Sequence, residues 1–375
     1  MIMVVHLLVQ GSLLTNDQLD FAFVAELPIE VASSKRRKSR KTDSIAPVAS
    51  HPSMPSLLTI EVAPASGVVP PSVEPGSVEA MAAVLDAHPD YRVLRRLQPR
   101  LDWCESAGQS VCRVVVLDTE TTGLDHAKDK IMELALLRVD VDLATGLPVG
   151  TLQVYDQLED PGMPIPREVQ ELTGITNAMV QGQRLDEERI ASLLDGIDLV
   201  IAHNAGFDRP FCEARLPQFR HLRWACSFAD IAWKEQGKRS AKLESLALGM
   251  GWFYDAHRAE MDCHALLAIL TARLPQVPHT GLAHLLEQAG KPSFRLLATN
   301  APFDAKDKLK ARGYRWSAEQ KVWHTRVGDS ESLQLEFDWL KENAYHQRGA
   351  VVQFEKLDAL VRYSNRPGEL LYHQL

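Results

Sequence analysis

Val114-Val115-Val116-Leu117-Asp118-Thr119-Glu120-Thr121-Thr122-Gly123-Leu124 changes character partway along. Four consecutive apolar residues, three of them β-branched, read as a strand buried on both faces. Two carboxylates follow where that strand must end. Side chains two apart on an extended chain point the same way, so Asp118 and Glu120 converge on one spot at the sheet's edge. Carboxylates forced together repel unless a proton or a cation sits between them. Hard divalent cations such as Mg²⁺ and Mn²⁺ prefer oxygen ligands, which makes a metal the natural resolution. An isolated Asp-x-Glu is also an ordinary solvated turn, so its meaning depends on partners supplied elsewhere in the chain.

Downstream, Ile131 to Val139 reads as a second strand carrying one charge, Glu133, and Thr151 to Leu158 as a third. The intervals are too short for helical crossovers, which predicts antiparallel neighbours. Pro166 to Leu172 is a short helix. Asp186 caps another through Ile190, Leu193 and Leu194, closed by Gly196. Ile197 to Asn204 is a further apolar strand that turns through Ala205-Gly206 into Phe207-Asp208, placing Asp208 at the start of a helix. Ligand sites in α/β sheets gather at such strand ends, although a helix N-terminus favours an acidic residue in any protein. Ser240 can cap a helix through Leu243 and Leu246 that closes at Gly249. The stripe Leu266, Leu267 and Leu270 then sets Asp262 in the first turn of a helix, with His257 in the loop before it. The elements are those of a mixed α/β domain with a central sheet and flanking helices.

Acidic residues at three such junctions, together with one loop histidine, suit two-metal hydrolysis of a phosphodiester, in which a base near neutral pKa takes a proton from water. Asp118-Thr119-Glu120-Thr121-Thr122-Gly123-Leu124, His203-Asn204-Ala205-Gly206-Phe207-Asp208 and His257-x4-Asp262 resemble, in order, the three motifs of the DnaQ-like 3′→5′ exonuclease family. The interval from His257 to Asp262 resembles its DEDDh branch. Glu171-Leu172-Thr173-Gly174-Ile175-Thr176 is similar to the segment between its first two motifs. The resemblance covers about residues 110–275.

The resemblance implies a ribonuclease H-like exonuclease fold and a set of roles. Asp118 bridges two divalent ions (Mg²⁺ or Mn²⁺), Glu120 and Asp262 complete the tighter site, and Asp208 holds the second ion. His257 is the general base, and nucleoside 5′-monophosphates leave from a 3′ end. Thr121, Gly123 and Leu124 contact the terminal nucleotide, with Asn204 and Phe207 as supports; core packing is an equal reading for Phe207. The substrate it implies is a single-stranded or frayed 3′ end of nucleic acid, with DNA favoured through the family's proofreading subunits, and a DNA polymerase is the candidate partner. The runner-up is an RNA-trimming exoribonuclease of the same family. A protein that binds DNA ends or a polymerase without catalysis is the reading from a different class.

Composition sets the frame for these expectations. The chain has 375 residues, is 45% hydrophobic and 24% charged, and carries a formal net charge of −8. Those values suit a soluble protein and argue against wholesale coating of nucleic acid, though not against a local basic groove. Five scattered cysteines without CxxC spacing suit reduced thiols in a cytoplasmic protein. No apolar run reaches the roughly 20 residues of a membrane span, and the first residues lack a basic stretch before their short apolar run.

Residues 1–76, with the basic run Lys35 to Lys41 and repeated prolines, read as a low-complexity tail. Residues 77–109 read as a helical pair leading in, 110–275 as the exonuclease domain, and 290–375 as a small α+β module after a linker around Pro275 to Thr280. In that module Phe294 to Thr299 is a strand, Asp304 caps a helix ending at Gly313, and Tyr314-Arg315-Trp316 with Val322-Trp323-His324 forms a hairpin. Ser330 to Asn343 is a further helix. Local lysines and arginines make the module a candidate for nucleic-acid binding; Trp316 and Trp323 could stack on bases, but core packing is the favoured reading for both. Beside the main site, Lys238, Arg239 and Lys242 read either as a grip on the phosphate backbone or as a solvated helix face.

Overall fold

A computed structural model of the chain describes residues 76–104, 110–347 and 349–375. The low-complexity tail and its basic run, residues 1–75, lie outside the described residues. Among the described residues no helix is long and apolar enough to cross a membrane.

Helix α1 (Val78–Asp86) starts where the Ser77 hydroxyl accepts the Ala80 amide at 3.1 Å, and it buries none of its residues. The second lead-in helix does not form. Instead Arg95–Arg96 is a two-residue strand, β1, paired in parallel with Trp252 and Phe253. Pro89 and Pro99 leave a stretch too short to repay helix nucleation. The amides of Arg95 and Leu97 find the carbonyls of Gly251 and Phe253 instead.

The main sheet is built as the apolar runs require. Strands β2 (Val111–Thr121), β3 (Ile131–Asp142) and β4 (Leu147–Leu158) form an antiparallel meander. Helices α2 (Arg167–Thr173), α3 (Asn177–Val180) and α4 (Glu187–Leu194) follow, the last capped by Asp186 on the Arg189 amide. Strand β5 (Leu199–Ala202) then lies parallel to β2, helix α5 (Ala205–Arg215) crosses over, and β6 (Trp224–Cys226) adds in parallel. The order is β4-β3-β2-β5-β6. Helix α6 (Leu243–Gly249), strand β7 (Trp252–Phe253), helix α7 (Ala259–Thr271) and helix α8 (Gly281–Ala289) complete the layer. Ser240 stops short of capping α6; its hydroxyl accepts the Lys242 amide, and the helix starts one residue later.

The continuous apolar run in β2 follows from this layering. Val114 and Val116 pack with Leu266, Leu270, Leu282 and Leu285 of α7 and α8. Val115 and Leu117 face the other way, onto Ile190 and Leu193 of α4 and Phe211 of α5. Each such side chain contributes about 1.5–3 kcal/mol on burial. The segment around Pro275 to Thr280 is a closed turn rather than an open linker, because Leu274 bonds His279 and Gly281 bonds Ala272.

The C-terminal module is a second sheet of order β12-β11-β8-β10-β9. It comprises β8 (Ser293–Ala298), α9 (Lys306–Ala311), β9 (Arg315–Ser317), β10 (Val322–Val327), α10 (Ser330–Trp339), β11 (Val351–Leu357) and β12 (Glu369–Gln374). Asp304 lies inside a 3₁₀ turn, Phe303–Ala305, and makes no side-chain cap. Phe294, Leu296, Val352 and Phe354 pack on Leu309, Leu333 and Phe337 of the two helices, with Trp323 against this core. Trp316 is 46% exposed, because β9 is the sheet's edge and the helices do not reach over it.

Between β11 and β12 the chain returns to the first domain. Arg209, fully buried on α5, bonds Glu213 at 2.7 Å and the carbonyls of Ala359, Leu360 and Arg362. Tyr363 donates its hydroxyl to Asp230, and Arg366 reaches Glu213 at 3.2 Å. These bonds clamp the 358–366 segment against α5 and the β6 end of the main sheet.

Candidate active site

The site forms where β2 ends. Oxygens of Asp118, Glu120 and Asp262 lie within 4.8 Å of one another, the geometry for a shared cation. The pleat aims Asp118 and Glu120 to one side, as their two-residue spacing requires. A bulge between Glu120 and Thr121 re-aims the strand at this point.

Asp262 arrives from the first turn of α7 and organises the loop before it. One oxygen accepts the amides of His257, at 2.8 Å, and Arg258, at 3.2 Å; the other accepts the Tyr254 hydroxyl at 2.8 Å. The bonds hold His257 at φ +63°, a left-handed conformation rare for a residue with a side chain. Half-buried, His257 stands close enough to Asp262 for its charge to stabilise that carboxylate. Asp208 arrives from the first turn of α5, is 2% exposed, and accepts the Thr119 hydroxyl at 2.9 Å. The structure thus groups Asp118, Glu120 and Asp262, with Asp208 near enough to act on Asp118 and His257 held against Asp262.

Crowded carboxylates resist ionisation. Burial, reinforced by Asp208, Asp262 and Glu120, holds the Asp118 carboxyl well above the ordinary range. Burial, then Asp262, Glu133 and Asp208, pushes Glu120 up to about 8. Burial raises Asp208 to about 7 against the pull of its bonds with Thr119. Burial likewise raises Asp262 to about 6 although Tyr254 and the His257 and Arg258 amides oppose it. Such a cluster is a ready divalent-cation site, since a cation supplies the charge that the protein withholds.

The remaining expected residues end β2, follow it or open α5. Thr121 donates its hydroxyl to the Gly123 carbonyl at 2.6 Å. A Cβ on Gly123 would stand 2.5 Å from the Asp129 carboxylate, so the turn needs glycine. Leu124 is 52% exposed, an apolar side chain left facing solvent beside the acidic cluster. Asn204 takes φ +74° at the start of α5. Phe207 packs on Phe211 with ring centroids 5.1 Å apart, which favours its core reading. Lys238, Arg239 and Lys242 precede α6 in a loop rather than forming a helix face.

Sequence reasoning assigned no role to Glu133 or Arg258. Glu133 is fully buried and directly opposite Glu120 across β2 and β3. It accepts Arg258 at 2.7 Å and the Ala259 amide at 2.9 Å. The pair anchors the start of α7, and with it both Asp262 and the His257 turn. The lone charge in the otherwise apolar β3 run was the available signal.

The RNase_T exonuclease family profile matches residues 115–270. The chain is 30% identical over 167 residues to the DNA polymerase III subunit epsilon of Aquifex aeolicus, covering 43% of this chain and 77% of that protein. The chain belongs to the exonuclease family. This exonuclease-family chain is also 31% identical over 180 residues to the PolC-type DNA polymerase III of Thermotoga maritima, covering 46% of its own length but only 13% of that relative's. Among solved structures, exonuclease X in complex with 5′ overhanging duplex DNA is 24% identical, with a TM-score of 0.34, covering 46% of this chain and 97% of that one.

Proposed function

We propose that the chain is a metal-dependent 3′→5′ exonuclease that removes nucleoside 5′-monophosphates from DNA 3′ ends. The observation that carries this reading is the meeting of Asp118, Glu120 and Asp262 around one point, with Asp208 and His257 beside them.

Asp118, Glu120 and Asp262 would hold one divalent ion, and Asp118 with Asp208 a second; three hard oxygen donors within reach of one another suit Mg²⁺ or Mn²⁺. Bound ions supply Lewis acidity toward a phosphoryl oxygen and make water a better nucleophile near neutral pH. His257 takes the proton of the attacking water at an imidazole nitrogen, and the Asp262 carboxylate fixes the turn that presents it. Gly123 leaves room for the Asp129 carboxylate that holds its turn, and exposed Leu124 offers an apolar surface to the terminal base. Thr119 orients Asp208, and the Glu133–Arg258 pair fixes the start of α7. A DNA polymerase is the proposed partner, in keeping with the name of the epsilon-subunit relative.

The test is digestion of matched 5′-labelled single-stranded DNA and RNA oligonucleotides with Mg²⁺ or Mn²⁺, beside chelator and Asp118→Ala controls. A metal-dependent ladder shortening from the 3′ end, faster on DNA and absent in the variant, is expected. Well-folded protein that cuts neither substrate would overturn the proposal.

A further inference from the structure

The C-terminal sheet is covered by helices on one face only. Phe294, Leu296, Trp323 and Phe354 turn toward α9 and α10. By strand alternation Arg295, Arg315, His324, Arg326 and Glu355 turn the other way. The register sets Glu355, Arg295 and Arg326 in one row, with Arg315 opposite His324 in the next.

That face floors a cleft of about 770 Å³ whose wall includes Tyr363 to Pro367. Arg295, Arg315 and Arg326 line it against two carboxylates, Glu319 and Glu355, and Arg366 on the wall is paired with Glu213, which leaves a local excess of positive charge on a chain of net charge −8. Like charges directly opposite in a ladder are destabilising, yet Arg295 and Arg326 are direct cross-strand partners. Arg295 has Gln320 at 3.0 Å and Glu355 only at 4.0 Å. Arg326 has no ion-pair partner among the described residues and stays exposed. An anion between the two guanidinium groups would relieve the repulsion.

The wall also leads to the acidic site. Asn365 bonds His126 at 2.9 Å, and His126 sits two residues beyond Leu124, with its ring edge-on to Phe211 of α5. Arg209, Tyr363 and Arg366 lock the same segment to the first domain. The basic cleft and the nucleotide-contacting loop therefore share one rigid wall.

We propose that this cleft is a second binding site, for the sugar-phosphate backbone of single-stranded nucleic acid, which holds the strand upstream of the 3′ end being cut. Guanidinium groups spaced along adjacent strands suit successive phosphates, and no base-reading geometry is required. The proposal rests on the exonuclease reading for its substrate class, but its test needs no hydrolysis.

Binding of fluorescein-labelled dT20 and dT4 to the full chain is measured by anisotropy in chelator across a salt series. Wild type is compared with Arg315→Gln/Arg326→Gln and Arg315→Lys/Arg326→Lys, each checked for native circular dichroism. Two lost phosphate contacts predict about 25-fold weaker dT20 binding near 0.1 M salt and a log–log salt slope shallower by about 1.4. Affinity for dT4 should be unchanged, and the lysine variant should retain most dT20 affinity. Should the glutamine variant misfold, the lysine variant is compared with Arg326→Lys/Gln320→Glu, where an added carboxylate must weaken dT20 binding. Unchanged dT20 affinity in the folded charge-removal variant overturns the proposal. So does equal competition by polyglutamate, which assigns the cleft to an acidic peptide, or full competition by millimolar phosphate, which assigns it to a free anion. Wild type that binds dT20 through the cleft yet cuts no oligonucleotide sinks the exonuclease reading alone.

Discussion

Removing Arg258 should damage this protein more than removing the charge of Glu133, and removing both should damage it less than losing Arg258 alone. Glu133 is fully buried, whereas the Arg258 side chain is 41% exposed. Arg258→Ala strands a carboxylate under the sheet, opposite Glu120, with only the Ala259 amide still donating to it. An unpaired buried charge of that kind costs about 3–5 kcal/mol. Glu133→Gln keeps an oxygen for the Ala259 amide and lets Arg258 turn to water. Its cost is one or two charge-assisted hydrogen bonds, about 2 kcal/mol, partly offset by relief of repulsion with Glu120 and Asp118. In the double variant neither member of the pair remains as a charge, so a coupling energy of at least about 1 kcal/mol should appear. Urea unfolding in excess chelator isolates these terms from metal binding. Because the pair anchors α7 and the His257 turn, each single variant should also lower kcat more than it raises KM. Arg258→Ala milder than Glu133→Gln, or additive losses in the double variant, would refute this account of the pair.

Three further outcomes follow from the geometry. Glu120 rises from an ordinary 4.5 to about 8, and Asp118, Asp208 and Asp262 are also raised. The folded metal-free chain thus holds protons that the unfolded chain releases above its lower pKa, and stability in chelator should fall as pH rises from about 4.5 toward 8. Thermal melts should show a shallower fall for Asp118→Asn, and Mn²⁺ should raise the wild-type Tm more at pH 8 than at pH 6; a flat profile would contradict the crowding. Arg209→Met leaves the Arg362 carbonyl without its donor and takes one of two from those of Ala359 and Leu360, which keep the Trp224 amide and the Arg366 guanidinium. The loss should be about 3–5 kcal/mol, with faster proteolysis within 358–366, and wild-type protection there would count against the clamp. Gly123→Ala forces the Asp129 carboxylate aside; it should cost about 1–3 kcal/mol and raise KM for oligonucleotides several-fold, which steady-state kinetics will detect.

Much of the site was legible because its residues sit where local rules are strong. A β-branched run ending in Asp118-x-Glu120 specifies a buried strand and the face its carboxylates share. The stripe of Leu266, Leu267 and Leu270 fixes the phase of α7, and so the place of Asp262 in its first turn. Period and spacing are properties of neighbours in the chain, and the chain records them. The lead-in misled because Val93, Leu94 and Leu97 fit a helical face, while the carbonyls of Gly251 and Phe253 that make β1 a strand lie far away in sequence. Trp316 and Trp323 look alike in sequence, yet only the edge position of β9 leaves Trp316 exposed.

By itself, then, the sequence determined the β2 strand, the phase of α7 and the places of Asp118, Glu120, Asp208 and Asp262 at the ends of their elements, since each depends on spacings of a few residues. Only the tertiary structure decided that Glu133 and Arg258, 125 positions apart, anchor that site. It likewise decided that Arg209 clasps carbonyls about 150 positions away, and that Arg295 meets Arg326 across the floor of a basic cleft. Buried charges must find partners wherever the fold brings them, and no local pattern says where that will be.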